Sequence, residues 1–357
     1  MVEQRTHKPR VGGSIPPPAT KPNLMDLLSR FENILKAQDL VSPRERVFIA
    51  CSGGPDSSAL FYLFKALQKK WKLKLGLLHF NHKLRGRESD RDEAFVKKMA
   101  CYNGLPFYTA HKPVRLIAKK EKTSLEEEAR KLRYEFFIHA AKKYRIKKIA
   151  VAHTQEDQAE TVLMRVMQGT GLRGLSGIRN HFKKEEVIFI RPLLEISKKD
   201  LLLFLKENKI SFRRDRSNQS MRFVRNKIRE ELLPMLAREF NPRVIEAIAR
   251  IPSIVKEENH LLADLEKTAW RKVFKRKSKE KVYLDRSSFL KFPPALQFRM
   301  VDQALKSLDK KSGINFEAWQ KLQPNLSRRR FRFSLPKDID FSITPSKLVI
   351  YKKFQEV

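Results

Sequence analysis

A parallel β-sheet with helices on both faces is the fold predicted for the first two thirds of this chain. Three observations predict it. Short apolar runs alternate with amphipathic helical stretches between residues 47 and 167, the pattern of successive βα units. The first apolar run ends in a glycine turn that opens a helix, and open parallel sheets present ligands beyond such strand ends. The 357 residues, 41% of them hydrophobic, also suffice for more than one core.

Taken in order, residues 1–22 are basic and rich in Pro and Gly, with Pro16, Pro17 and Pro18 in a row. They are expected to form a disordered arm that touches RNA. Residues 24–40 have helical spacing, and Val47-Phe48-Ile49-Ala50 reads as a buried strand. Helices are expected over 59–70, 90–102, 124–144 and 157–167, and strands over 74–80, 106–110 and 148–152. After Arg191-Pro192-Leu193-Leu194 the pattern turns helical over 198–208, 224–237 and 242–274, the last holding Pro252. The expected division is an arm over 1–22, a catalytic domain over 23–240, a helical linker or subdomain over 241–280 and a small basic α+β region over 281–357.

The net charge of +36 raises affinity for polyanions. A lysine-rich surface selected for solubility is the plain alternative, but acidic surfaces serve that end at least as well. No apolar run approaches the roughly 20 residues of a membrane span, so nucleic acid is the expected polyanion. With no secretory signal and only Cys51 and Cys101, neither a disulfide framework nor a cysteine-ligated metal centre is expected. A cytoplasmic enzyme fits these numbers.

The chemistry centres on Ser52-Gly53-Gly54-Pro55-Asp56-Ser57-Ser58. Adjacent glycines let backbone N–H groups approach an anion, and the helix N-terminus adds positive potential. Ser52, Ser57 and Ser58 can donate to phosphate oxygens. Asp56 would repel a bare phosphate and makes sense as a Mg²⁺ ligand. No Gly-Lys-Ser/Thr ending follows, so this is not a Walker loop. A serine-capped helix after a glycine turn is the plain alternative. Asp157, at the start of a later helix, is either a cap residue or a second acidic group sharing the cation with Asp56. Arg130 and Arg133 share a helix face and can bind phosphate or pair with Glu126, Glu127 and Glu128. Arg225 and Arg229 share another face and carry the donor fork suited to phosphate.

The loop resembles the Ser-Gly-Gly-x-Asp-Ser loop of enzymes that split ATP into AMP and pyrophosphate. Four further segments resemble the tRNA(Ile)-lysidine synthetase family. They are His79-Phe80-Asn81-His82-Lys83-Leu84-Arg85-Gly86; Glu128-Ala129-Arg130 with Arg133-Tyr134; Ala152 to Thr161 followed by Gly169-Thr170-Gly171-Leu172-Arg173-Gly174-Leu175; and Ser217-Asn218 with Arg225-Asn226-Lys227-Ile228-Arg229. Two positions depart from the family pattern: Glu156 stands where Asp is frequent, and Thr154 where a second His is. The resemblance implies an adenine-nucleotide α-hydrolase-like fold that uses ATP and Mg²⁺. The reaction it implies joins free L-lysine to C2 of the wobble cytidine of tRNA(Ile) with a CAU anticodon, through an adenylated cytidine. It implies Asp56, Asp157, Asn218 and Arg229 as catalytic residues and Asp56 and Asp157 as metal ligands. His153 and the loop, Ser52 to Ser58, would hold the nucleotide, and His82, Arg85, Arg130, Arg133 and Arg225 the tRNA. The basic C-terminal region, with Trp270 in the tract over 267–281, would hold the tRNA body. A thiolating tRNA enzyme with the same loop, or an RNA-binding protein with a nucleotide switch, remain alternatives. Oligomeric state stays open, a homodimer included.

Overall fold

The structure, a computed structural model, describes residues 24–213, 224–309, 313–335 and 339–352. The expected arm over 1–22 and Asn218 lie outside the described residues. The chain divides into two compact units: residues 1–169 with 177–250, and residues 170–176 with 251–357.

The first unit runs α1 (Leu24–Ala37), β1 (Arg46–Ala50), α2 (Pro55–Trp71), β2 (Lys74–Asn81), α3 (Arg87–Tyr102), β3 (Phe107–His111), α4 (Val114–Glu121), α5 (Leu125–Lys143), β4 (Lys148–Ala150) and α6 (Gln155–Met167). The short α7 (Leu172–Leu175) belongs to the second unit. The first unit then continues with β5 (His181–Lys184), β6 (Val187–Ile190), α8 (Lys198–Glu207), α9 (Val224–Lys227), a π-helical turn Ile228–Leu232, α10 (Leu233–Glu239) and the start of α11 (Val244–Val273).

Its sheet has the order β3-β2-β1-β4-β6-β5. Pairings among β1, β2, β3, β4 and β6 are parallel, and β5 closes the edge antiparallel to β6. The period of two along each strand sorts its side chains to opposite faces. Val47, Ile49, Leu75 and Leu77 pack with α1, α2, α3 and α8. Phe48, Leu78, Phe80, Ile149 and Phe189 pack with α4 and α5. Phe64 of α2 meets Phe31 of α1 edge-on at 5.2 Å, and truncating either to Ala would cost about 3–5 kcal/mol. Ser124 and Ser197 cap α5 and α8 by accepting from the Glu127 and Asp200 amides.

The second unit holds β7 (Phe274–Lys277), β8 (Lys281–Asp285), α12 (Arg286–Leu290), α13 (Pro294–Leu308), α14 (Phe316–Leu322), β9 (Phe331–Leu335), β10 (Ile339–Ile343) and β11 (Lys347–Lys352). Its sheet is antiparallel, in the order β7-β8-β11-β10-β9. Val282, Leu284, Phe341 and Ile350 pack on Met300, Val301 and Ala304 of α13. Ala269 and Val273 near the end of α11 are fully buried in the same core. Residues 251–280 are therefore part of the C-terminal unit and not the separate linker expected over 241–280. Trp270 stacks on Phe274 at 5.3 Å and packs against this core, so it is less a free RNA-stacking surface than the basic tract suggested.

Candidate active site

The parallel strands set the site. Ser52 follows the end of β1, His82 that of β2, His153 that of β4 and Arg191 that of β6. All four strands run the same way, so these residues share the carboxyl edge of the sheet.

Gly53 has φ +88°, and a Cβ there would lie 3.3 Å from Phe95 and 3.4 Å from Val96 of α3. A left-handed turn this close to two side chains of α3 favours glycine, chiefly through its positive φ. Ser57 accepts from the Ser52 amide and donates to the Gly54 carbonyl, both at 3.1 Å, while Ser58 is fully buried and donates to the Gly53 carbonyl at 3.3 Å. These two hydroxyls shape the loop from inside, in place of the direct phosphate contact expected of them. Ser52 is the exposed hydroxyl of the loop. Pro55 begins α2 behind Gly54. From the other side, the Arg213 amide donates to the Gly53 carbonyl at 2.8 Å, and the Arg213 Nε to Asp92 at 2.9 Å.

Four carboxylates lie near the loop, and they are not equivalent. Burial pushes Asp56 up to about 6, with Asp157 and Glu156 adding to the rise and Lys198 and Arg229 opposing it. Among the described residues it is paired with the Lys198 ammonium, at 3.9 Å. Glu156 accepts from the Lys198 backbone amide at 2.9 and 3.0 Å and so caps α8. Asp157 accepts the Thr154 amide at 2.9 Å on Oδ2, and takes Arg229 at 3.3 Å and Arg225 at 3.5 Å on Oδ1. Burial works against its charge, but Lys198, His153, the Thr154 amide and Arg225 outweigh it and hold its carboxyl below the usual range. Glu160 is fully buried and takes Arg225 Nε at 2.7 Å and Arg229 Nε at 2.6 Å. Both arginines are about one third exposed. Glu156, Glu160, Lys198, Arg229 and Pro234 line a cleft of about 160 Å³.

The backbone beneath the arginines is unusual. The Leu233 amide donates to the Ile228 carbonyl five residues back. Pro234 has no N–H for the Glu230 carbonyl, and the helix widens just before it. Through that widened turn, Arg225 from α9 and Arg229 converge on one carboxylate.

A second, cationic side faces the same edge. Arg130 and Arg133 lie over the Tyr134 ring at 5.1 and 5.9 Å. Neither forms an ion pair among the described residues, so pairing with Glu126, Glu127 or Glu128 is not what holds them. Glu128 is instead buried against Thr123 and Lys131. His82 carries a buried Nδ1 with no hydrogen-bond partner among the described residues, and burial, Arg133 and His79 push it down to about 4. Burial, Arg191, Arg133 and Arg130 push His153 down to about 3 against the pull of Asp157. Arg85 differs from these: it is paired with Asp92 at 2.6 Å, which ties the β2 loop to α3.

Asp56, Asp157, Arg225 and Arg229 thus come together, with His153 beside them, while Arg85 serves a brace. Lys198 and Arg191 also lie at the candidate site, where sequence reasoning did not place them, and so does Glu160, for which the sequence left support of the site and the helix surface both open. Lys198 looked like an ordinary helix start, and the strand that delivers Arg191 was not recognised.

A glycine turn behind a parallel strand, with carboxylates and arginines at the same sheet edge, defines an α/β nucleotide-binding domain. The chain belongs to the PP-loop domain family, whose model matches residues 25–236. It is 33% identical over 281 residues to a tRNA(Ile)-lysidine synthase from Clostridioides difficile, covering 78% of this chain and 60% of that protein. It is 36% identical over 288 residues to the synthase of Symbiobacterium thermophilum, covering 79% and 59%. The chain therefore spans about 60% of the length of these curated relatives. Among solved structures, a U34-tRNA thiolase from Methanococcus maripaludis shares the fold, with a TM-score of 0.53 at 18% identity over 64% of this chain and 80% of that one.

Proposed function

We propose that the chain is an ATP-dependent tRNA(Ile)-lysidine synthetase that converts the wobble cytidine of a CAU anticodon to lysidine. The observation that carries this reading is the convergence of the Ser-Gly-Gly loop and Asp56 with the Asp157–Glu160–Arg225–Arg229 cluster at one sheet edge, in a chain whose curated relatives bear that name. Cytosine O2 is a poor leaving group. In the proposed reaction it attacks the α-phosphorus of ATP and pyrophosphate departs. The side-chain amine of lysine then attacks C2, loses a proton, and AMP leaves with the oxygen. Most of the catalytic work is positioning of phosphates and stabilisation of developing charge.

The Gly53 and Gly54 region and Ser52 would cradle the phosphates, and Arg225 and Arg229 would turn toward them from Glu160. The donor set fits Mg²⁺, which commonly takes one or two carboxylates plus substrate phosphate oxygens. Asp56 has the freer oxygens and is raised by burial and then by Asp157 and Glu156, a tension that a cation would relieve. Asp157 offers Oδ1 once the arginines turn away. When bound, the ion would neutralise phosphate charge. His82, Arg130 and Arg133 supply cations for the anticodon backbone, and the C-terminal unit is assigned to the tRNA body. Thiolation fits less well: Cys51 is fully buried, and burial pushes its thiol up, away from the reactive thiolate.

The test is incubation with ATP, labelled lysine and tRNA(Ile) transcripts carrying CAU or UAU anticodons. Label is expected in the CAU transcript alone. Pyrophosphate release with no lysine in RNA would overturn the reading.

A further inference from the structure

We infer that Arg191 is a positioning residue that locks His153 in a single neutral tautomer, with Nδ1 as acceptor and Nε2–H presented as a donor at the carboxyl edge of the sheet. The geometry forces the tautomer. The Arg191 Nε donates to His153 Nδ1 at 3.2 Å. A guanidinium has five donors and no acceptor. Nδ1 must therefore offer its lone pair, and the ring proton must sit on Nε2. That nitrogen has no hydrogen-bond partner among the described residues.

Arg191 is itself rigidly held. It is 6% exposed. Its Nη1 donates to the Arg179 carbonyl at 2.7 Å, its amide donates to the Asn180 carbonyl at 2.7 Å, and its guanidinium lies 4.5 Å from the Phe182 ring centroid. All three contacts come from the segment entering and forming the β5–β6 hairpin, so that hairpin builds the clamp. A proton on Nδ1 would set one N–H against another. The groups facing His153 are Arg191 after β6, Asp157 on α6, and Arg130 and Arg133 on α5; the three arginines and burial disfavour the imidazolium, and Asp157 alone favours it. The imidazole therefore stays uncharged through neutral and mildly acid pH. A neutral donor of this kind can bond a phosphate or carbonyl oxygen without transferring a proton to it, as an imidazolium would. The role toward substrate rests on the proposed nucleotide site; the tautomer does not.

The experiment uses the full chain with ¹⁵N-labelled histidine, and His153→Gln assigns the signal. Long-range ¹H–¹⁵N correlation of the wild type is expected to show a pyridine-like Nδ1 and a protonated Nε2, unchanged from pH 8 to pH 5. A protonated Nδ1, or a titration midpoint near 6.5, would overturn the proposal without any variant. Arg191→Met is expected to give a mixture of tautomers and a midpoint above that of the wild type, while burial, Arg133 and Arg130 still hold it below the free-imidazole value. If that variant does not fold, Arg191→Gln, whose amide can either donate or accept, is expected to give the same mixture. Unchanged spectra in a folded variant would overturn the lock. In ATP–pyrophosphate exchange, His153→Gln, which keeps an N–H donor, is expected to retain at least tenfold more activity than His153→Ala; equal losses would overturn the donor role. Absence of ATP binding to the same wild-type sample would overturn the nucleotide reading and leave the tautomer lock standing.

Discussion

Both units of the molecule bury a network of arginines and carboxylates, and the two networks are built differently. In the C-terminal unit, Arg173 bridges Glu266 and Asp302, Arg299 reaches Glu266 at 3.5 Å and Asn259 at 2.8 Å, and Lys306 reaches Asp302 at 2.5 Å. Two buried carboxylates meet three cations there. In the PP-loop unit, Glu160 satisfies Arg225 and Arg229, but among the described residues Asp56 has only Lys198 at 3.9 Å, and Arg130 and Arg133 have no ion-pair partner. Burial and pairing are common to both networks. What marks the network of the proposed site is charge of both signs left without an ion-pair partner among the described residues, held at a sheet edge where a substrate can complete it.

The sharpest way to break that comparison is to remove the unpaired carboxylate. Asp56→Ala is expected to lower ATP–pyrophosphate exchange by roughly 10³-fold, about 4 kcal/mol, with no loss of thermal stability. Its charged form is disfavoured by burial and by Asp157 and Glu156, so its loss relieves repulsion. A melting temperature well below wild type would show that Asp56 is part of a closed structural network after all. Second in size is Asp302→Ala, which strands Arg173 and Lys306 in the C-terminal unit. Denaturant titration is expected to show a loss of about 3 kcal/mol. Exchange per folded molecule is expected to stay within twofold, and a larger drop would erase the distinction between the networks.

The smallest effect sharpens the contrast within the PP-loop unit. Hydrogen bonds from Lys36 and then Lys70 hold Glu32 down near 2 against the burial that raises it, with Trp71 adding a third donor. A carboxyl held below its unfolded value stabilises the fold above the unfolded pKa near 4.5 and loses that contribution as pH falls toward 2. Glu32→Gln is expected to cost about 1 kcal/mol at pH 7. The gap from wild type should close between pH 5 and pH 2, with exchange activity unaffected. A gap that persists at pH 2 would assign the effect to packing in place of charge.

The legible parts of the fold are those with strong local signals. β1, the glycine turn and α2 were readable because apolar run, Gly-Gly and Pro55 follow one another directly. The β5–β6 hairpin was not, because Lys183, Lys184, Glu185 and Glu186 break any alternating pattern at its turn. Missing that hairpin meant missing β6 as a parallel strand, and with it Arg191 at a strand end. Asp157 was readable as either cap or site residue, and it is both: one oxygen takes the Thr154 amide and the other faces the arginines. Glu160 is the opposite case. Its position one turn beyond Asp157 was visible, but its complete burial depends on Arg225 and Arg229 arriving from about 65 residues downstream. Spacing along one helix carries no information about such a partner.

The placement of residues 170–176 with the C-terminal unit has a consequence for synthesis. Arg173 sits between α6 and β5, yet its partners Glu266 and Asp302 lie 93 and 129 residues later in the chain. At roughly 5–20 residues per second, the ribosome makes Asp302 on the order of ten seconds after Arg173. Through that interval the strands of the PP-loop sheet can assemble, while the segment interrupting them has neither carboxylate until Glu266 is made and lacks Asp302 to the end of it. The C-terminal unit, in turn, cannot complete its ion network from its own continuous stretch. A nascent chain released before residue 302 therefore leaves Arg173 without its full clamp, which ties maturation of the two units to one another in time.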